Sequence, residues 1–191
     1  EDLNALEKQR IAASETRRLG VGIMGVADML NQLGVSYDSK EGIDIITRVM
    51  EFITNAAYQA SASLAGEKGA SPIYSEDEYM ECPFLEAALS QETQTFIREN
   101  GIRNIAIMSI APTGSISNII KGFQIDDKNY IGVSGGVEPI FALYYTRRTE
   151  SFKKTEFYKV FHSTVQAYID KMNLQEEIDA SEKMEDILPD Y

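Results

Sequence analysis

The sequence predicts an α/β fold, and three features carry that prediction. Apolar residues recur every three or four positions at Ile43, Ile46, Val49, Met50, Ile53, Ala57, Ala60 and Leu64, the period of a long amphipathic helix. The run Asn104-Ile105-Ala106-Ile107-Met108-Ser109-Ile110 has the length and content of a buried strand. Gly20-Val21-Gly22-Ile23-Met24-Gly25 reads as a second short buried strand, punctuated by glycine where the backbone approaches a neighbour closely. Helices alternating with strands point to α/β layers. With no internal repeat and no low-complexity linker, residues 1–191 read as one domain or part-domain.

The remaining elements follow from local signals. Asp2 to Leu19 has helix-forming composition, and Ala27 to Leu33 reads as a short helix ended by Gly34. Tyr37-Asp38-Ser39 supplies a cap for the long helix, whose small residues Ala56, Ala57, Ala60, Ala62 and Ala65 permit close approach before Gly66 or Gly69 ends it. From Ala70 to Leu89, Pro72, Pro83 and scattered acidic and tyrosine residues show no sustained period, so a long surface connection is expected. A helix from Leu89 to Asn100, closed by Gly101, leads into the 104–110 strand. Beyond the polar segment Lys121 to Tyr130 come a glycine-rich loop, Gly132 to Pro139, and an apolar aromatic run, Ile140 to Tyr145. A final helix is expected over Thr155 to Asn173, burying Phe157, Val160, Phe161, Val165, Tyr168 and Ile169.

Composition narrows the function. A net charge of −12 repels a phosphate backbone at long range, and the densest basic clusters are only the pairs Arg17-Arg18, Arg147-Arg148 and Lys153-Lys154, so nucleic-acid binding is disfavoured. The acidic stretch Glu176, Glu177, Asp179, Glu182, Glu185 and Asp186 reads as a solvated helix face or tail. No run reaches the roughly 18 apolar residues of a membrane span, and EDLNALEKQR lacks the pattern of a signal peptide, which gives the expectation of a soluble, cytoplasmic protein. One cysteine, Cys82, and one histidine, His162, are too few for a zinc, iron–sulfur or Cys–His centre, so no metal site is expected. Cys82 reads as incidental, and His162, spaced from Tyr158 and Gln166 as on a helix, as a packing or surface residue.

One segment carries chemistry. The 104–110 strand runs straight into Ala111-Pro112-Thr113-Gly114-Ser115-Ile116-Ser117, which has the parts of an anion cradle: a glycine that lets the backbone aim its N–H groups, and three hydroxyls. Phosphate suits such a loop without any lysine, because amide dipoles supply the positive potential. On composition alone, a plain turn and helix cap is the favoured account of Thr113-Gly114-Ser115, ahead of phosphate binding. The loop lacks the Gly-Lys-Ser/Thr ending of a P-loop nucleotide hydrolase.

Several separated segments together resemble the catalytic subunit of ribonucleotide reductases, in the second half of its ten-stranded α/β barrel. Arg17-Arg18-Leu19-Gly20-Val21-Gly22-Ile23-Met24-Gly25-Val26-Ala27-Asp28 is similar to the family's arginine–glycine strand and Gly-Leu-Ala-Asp motif, and Leu64 to Gly69 to its mid-region helix end. Arg103 to Ser117 resembles the strand leading into Ala-Pro-Thr-Gly-Thr-Ile-Ser, and Ser134 to Leu143 resembles Ser-Ser-Gly-Ile-Glu-Pro-Val-Phe-Ala-Leu. The resemblance covers residues 10 to 150, and its wording, with Met24-Gly25, Ile110-Ala111-Pro112 and Tyr145-Thr146-Arg147-Arg148, is nearest the adenosylcobalamin-dependent class.

The resemblance implies that Thr113, Gly114, Ser115, Ile116 and Ser117 contact the substrate's phosphates, with Ala111 opening the loop and Pro112 a wall near the ribose. Gly136, Val137, Glu138 and Pro139 would lie beside the same pocket, although Gly135-Gly136-Val137 replaces the usual Ser-Gly-Ile. Lys121 to Tyr130 is a second departure, longer than the family pattern. The parent protein is then expected to reduce ribonucleoside di- or triphosphates to deoxyribonucleotides for DNA replication by thiyl-radical chemistry. Adenosylcobalamin would be its cofactor, a thioredoxin-type protein its reductant, and a homo-oligomer its assembly. The radical and redox cysteines have no counterpart here, since Cys82 falls in a variable connection, so the 191 residues alone should be inactive. Tyr144-Tyr145 follows Glu138-Pro139 too closely to match the family's stacked radical-relay tyrosines and reads as strand packing. A truncated enzyme, one partner of a split reductase and a noncatalytic nucleotide-binding module remain open; because family members continue past Leu188-Pro189-Asp190-Tyr191, truncation is favoured, with self-association through exposed edges expected.

Overall fold

A computed structural model describes residues 6–133, 137–140, 142–151 and 154–181. Contacts divide the chain into two compact units, one from residues 1–23 and 35–111 and the other from 24–34 and 112–191.

The first unit is mostly helical. Helices α1 (Glu7–Thr16), α3 (Lys40–Lys68), α4 (Glu76–Met80), α5 (Pro83–Ala88) and α6 (Gln91–Asn100) belong to it, while α2 (Val26–Gln32) belongs to the second. Ser39 caps α3 by accepting from the Gly42 N–H at 3.0 Å, and Ser90 caps α6 by accepting from the Thr93 N–H at 3.2 Å. The core gathers Tyr58 and Ala62 of α3, Leu85 and Leu89, Ile97 of α6, and Ile102 and Ile107 of the following extended segment.

Two expectations change here. The 70–89 connection is not a bare loop: Ser75 and Cys82 start two short helices, Pro83 fits the first turn of the second, and Leu85 and Leu89 enter the core. Helices this short are invisible to a periodicity that needs several turns. The long helix forms as expected, yet its buried face is Thr54, Tyr58, Ser61, Ala62 and Ala65, with Ile43 exposed and the rest of the predicted stripe half-buried or, at Ala60, exposed. The small residues Ser61, Ala62 and Ala65 win because they let α6 and the 102–107 segment approach the helix backbone closely.

The two predicted strands lie side by side and parallel. Leu19 N–H donates to the Ala106 carbonyl and Val21 N–H to the Ile107 carbonyl, both at 2.8 Å, and Ser109 N–H donates back to Val21 at 2.9 Å. Only Val21 and Met108 form a formal bridge, and Val21 is exposed rather than buried. Gly22 makes the approach possible, since a Cβ there would sit 2.3 Å from the Ser109 carbonyl oxygen. Asn104 locks the pair to α3: its side chain accepts from the Ser61 hydroxyl at 2.8 Å and donates to the Arg17 carbonyl at 2.7 Å.

The second unit contains two antiparallel hairpins. Strands β1 (Lys121–Ile125) and β2 (Lys128–Ile131) fold the Lys121–Tyr130 segment back on itself through Asp126 and Asp127, with Asp126 at φ +50°. Asp170 anchors this hairpin, accepting from Lys128 at 2.5 Å, Tyr130 at 2.8 Å and Gln166 at 3.2 Å. Strands β3 (Tyr144–Ser151) and β4 (Lys154–Phe161) pair in continuous register from Tyr144 with Phe161 to Ser151 with Lys154. The expected helix over 155–173 is therefore half strand: residues 154–161, rich in Thr, Phe, Tyr and Val, pair with β3, and α7 (Ser163–Met172) starts only after His162. Tyr144 packs on Phe161 with ring centroids 5.8 Å apart, and Tyr145 is exposed. A small core joins Val165 and Ile169 of α7 to Ile178 of α8 (Gln175–Ala180), whose acidic residues Glu176, Glu177 and Asp179 are exposed; Glu182, Glu185 and Asp186 lie outside the described residues.

Among the described residues no helix is long and apolar enough to cross a membrane. Gly22→Ala should lower the stability of the chain by about 1–3 kcal/mol, because the added methyl collides with backbone. Gly114→Ala, where nothing lies within 4 Å of the new Cβ, should stay within about 0.5 kcal/mol of the parent in the same denaturant titration.

Candidate functional site

The loop 113–117 belongs to the second unit and is built around Ser117, which is fully buried. Ser117 N–H donates to the Thr113 carbonyl at 2.9 Å and its hydroxyl to the Gly114 carbonyl at 3.1 Å. Asn118 adds a side-chain bond to Gly114 at 2.7 Å and a backbone bond to the Ser115 carbonyl at 3.4 Å, closing a single 3-10 turn over Ile116–Asn118. Three successive carbonyls, of Thr113, Gly114 and Ser115, thus face into the turn. In a trans peptide the N–H points opposite to its own carbonyl, so the amides of Gly114, Ser115 and Ile116 point outward together. All three of those residues are exposed, and nothing lies within 4 Å of where a Gly114 Cβ would sit.

Thr113 is the unusual member. Its φ of +49° lies in the left-handed region that β-branched residues avoid, and its hydroxyl is buried with no hydrogen-bond partner among the described residues. The mouth of the loop is stitched to the residues that follow the first hairpin: Val133 N–H donates to the Ser117 carbonyl at 2.9 Å, and Gly132 N–H to Ile120 at 2.7 Å. The Val133 side chain in turn lies over Gly25, the N-cap of α2, 3.5 Å from where a Cβ would stand, and the φ of +77° at that position favours glycine.

The other residues singled out from sequence fall as follows. Ala111 and Pro112 are exposed at the loop entrance, Val137 is half-buried in a turn, Glu138 and Pro139 are exposed, and Gly136 lies outside the described residues. Cys82 is an exposed thiol at the start of α5.

His162 is not on a helix face with Tyr158; it directly follows β4 and caps α7, its Nδ1 accepting from the Thr164 N–H at 3.3 Å. Burial pushes the imidazole below the usual histidine range, only partly offset by the Asp28 carboxylate, so the ring is neutral at pH 7. With Nδ1 accepting, the proton sits on Nε2, which faces Asp28 Oδ1 of α2 at 3.5 Å, both side chains being 11% exposed. Nothing in the sequence marks this Asp28–His162 pair, because 134 positions separate its members and neither stands in a motif with the other.

A family model described as ribonucleotide reductase, barrel domain, matches residues 2–190. The chain belongs to this family. Its α/β organisation accords with a segment of the reductase barrel. Among its relatives, a vitamin B12-dependent ribonucleoside-diphosphate reductase of Mycobacterium tuberculosis (strain CDC 1551 / Oshkosh) is 37% identical over 136 residues, 71% of this chain and 16% of the relative. A protein of the same name from Thermoplasma acidophilum is 36% identical over 134 residues, 69% of this chain and 14% of the relative. The ribonucleoside-diphosphate reductase subunit alpha of Helicobacter pylori (strain ATCC 700392 / 26695) is 31% identical over 160 residues, 73% and 19%. The chain therefore spans about a sixth of the length of the first of these reductases.

His162 gives the chain a pH dependence of predictable sign. An unfolded histidine takes up its proton near about pH 6.5, whereas the folded imidazole resists it, so stability is complete above that pH and falls as the pH drops below it. Because His162 is the lone histidine, the unfolding midpoint should fall between pH 7.5 and 5.5, and His162→Asn should flatten that part of the profile. An unchanged slope in the variant would mean that another group is responsible.

Proposed function

We propose that this chain is the substrate-phosphate-holding segment of a ribonucleotide reductase catalytic subunit. The observation that carries the reading is the trio of outward amides at Gly114, Ser115 and Ile116 beside the unsatisfied hydroxyl of Thr113. Backbone donors facing the same way out of one turn, with no carboxylate in the loop, suit an anion with several acceptor oxygens. A fixed cradle of dipoles also explains how a chain of net charge −12 takes an anionic guest. The left-handed Thr113 is strained, and strain of this kind is kept where a site needs its geometry. The family resemblance assigns Pro112 as a wall near the ribose and Gly136, Val137, Glu138 and Pro139 as neighbours of the same pocket.

The parent enzyme converts ribonucleoside diphosphates or triphosphates to deoxyribonucleotides for DNA replication, by thiyl-radical chemistry at cysteines outside this segment. Names such as vitamin B12-dependent reductase among the relatives support adenosylcobalamin as its cofactor, which supplies the initiating radical when bound. His162 does not fit as a cobalt ligand: Nδ1 is committed to the α7 cap, Nε2 faces Asp28, and the ring is buried. No group of three or more His, Cys, Asp or Glu side chains that could hold a metal ion occurs among the described residues. The same reading makes the parent a cytoplasmic homo-oligomer that draws electrons from a thioredoxin-type protein. In it this segment's work is to bind and orient, by holding the phosphates so that the ribose is presented in one pose.

Thr113→Val tests the assignment in the full-length reductase. The change keeps shape and removes an unsatisfied buried hydroxyl, so stability should hold within about 1 kcal/mol. Loss of a phosphate donor should raise the KM for nucleoside diphosphate by about tenfold. A KM equal to the parent's in a folded variant would refute the role of Thr113.

A further inference from the structure

The phosphate loop is connected to the chain's lone histidine through a series of contacts that lie wholly within the second unit. Ser117, which shapes the loop, accepts from Val133 N–H at 2.9 Å; the Val133 side chain lies over Gly25, 3.5 Å from where a Cβ on that glycine would stand; Gly25 caps α2; and Asp28, in the first turn of α2, faces His162 Nε2 at 3.5 Å. His162 is itself fixed at both ends. Its backbone N–H donates to the Leu143 carbonyl at 3.2 Å, and its Nδ1 holds the Thr164 N–H at the start of α7. It therefore joins α2 to the frame formed by β3, β4 and α7.

We infer that His162 is a positioning residue for the phosphate loop: it holds α2 by Asp28, and α2 through Gly25 and Val133 holds Ser117. This rests on the phosphate reading given above for its functional consequence, though not for its structural one. Two features make the Nε2–H group more than ordinary packing. The nitrogen is buried without a well-formed hydrogen bond, and at 3.5 Å its proton faces the carboxylate as a dipole facing a charge in a poorly solvated setting. A neutral ring serves this purpose, because its one proton is then directed to Asp28 by the commitment of Nδ1 to the cap. α2 is only seven residues long, and a helix this short depends on its tertiary contacts rather than on its own hydrogen bonds.

The two roles of His162 are separable by substitution in the full-length reductase. His162→Asn keeps an acceptor for the Thr164 N–H, asparagine being a favoured cap, and is too short to reach Asp28. His162→Gln has the reach to present an amide N–H to Asp28 and is a poorer cap. Hydrogen–deuterium exchange on the ligand-free protein should show the 112–118 segment exchanging faster in His162→Asn than in the parent, with α7 protected as before. In His162→Gln the loop should stay close to the parent while the first turn of α7 loosens. Calorimetric titration with a nucleoside diphosphate should show affinity reduced about tenfold in the Asn variant and largely restored in the Gln variant. Equal loosening of the loop in both variants would make the cap the determinant and overturn the inference, as would an unaltered loop in the Asn variant. Should the loop loosen as expected while affinity for the nucleoside diphosphate stays at the parent's value, the positioning holds and the phosphate reading fails instead.

Discussion

Three polar groups of one buried serine hold the candidate site in shape. The Ser117 N–H reaches back to Thr113, its hydroxyl to Gly114, and its carbonyl receives Val133, so the residue has donor, acceptor and side chain all committed. The two bonds Ser117 donates, with that of Asn118 to the Ser115 carbonyl, turn the carbonyls of the 113–115 stretch inward, and because peptide units are rigid, each inward carbonyl sends an amide outward. The cradle is thus a consequence of internal satisfaction rather than of any residue placed to meet a ligand. Thr113 bears the strain that this arrangement creates, with its left-handed backbone and unmatched hydroxyl.

An analogous economy of polar groups organises the first unit. Asn104 sits between α3 and the end of α1, using its side chain to take the Ser61 hydroxyl and to cap the Arg17 carbonyl, while Arg103 donates to the Lys68 and Gly69 carbonyls that end α3. These bonds run between segments 34 to 87 positions apart, so they fix tertiary arrangement rather than local structure. Parallel pairing at Val21 and Met108 follows from that arrangement, with Gly22 allowing the backbones to meet. Such pairing is ordinarily buried on both faces, and here Val21 and Ile110 are exposed, in keeping with a segment of a larger barrel.

Much of this was legible in the sequence, for identifiable reasons. The caps Ser39 and Gly34, the period of α3 and the loop following the 104–110 strand are local signals, and each lies where it was read. What escaped depends on partners distant in the chain. Residues 154–161 satisfy a helical period and a strand composition equally, and only β3 decides between them. The buried face of α3 is set by what packs on it, so its most apolar stripe is not its most buried one. In the loop, the residue types pointed to an anion, whereas the orientation of its amides, the strain at Thr113 and the link to His162 are visible only in three dimensions.

The central claim is that the amides of Gly114, Ser115 and Ile116 receive a substrate phosphate. Its most direct test is a structure of the full-length reductase soaked with a ribonucleoside diphosphate. The account predicts phosphate oxygens at hydrogen-bond distance, about 3 Å, from those three amides, with the Thr113 hydroxyl satisfied by the same group. A phosphate bound elsewhere, with these amides facing protein, would contradict it.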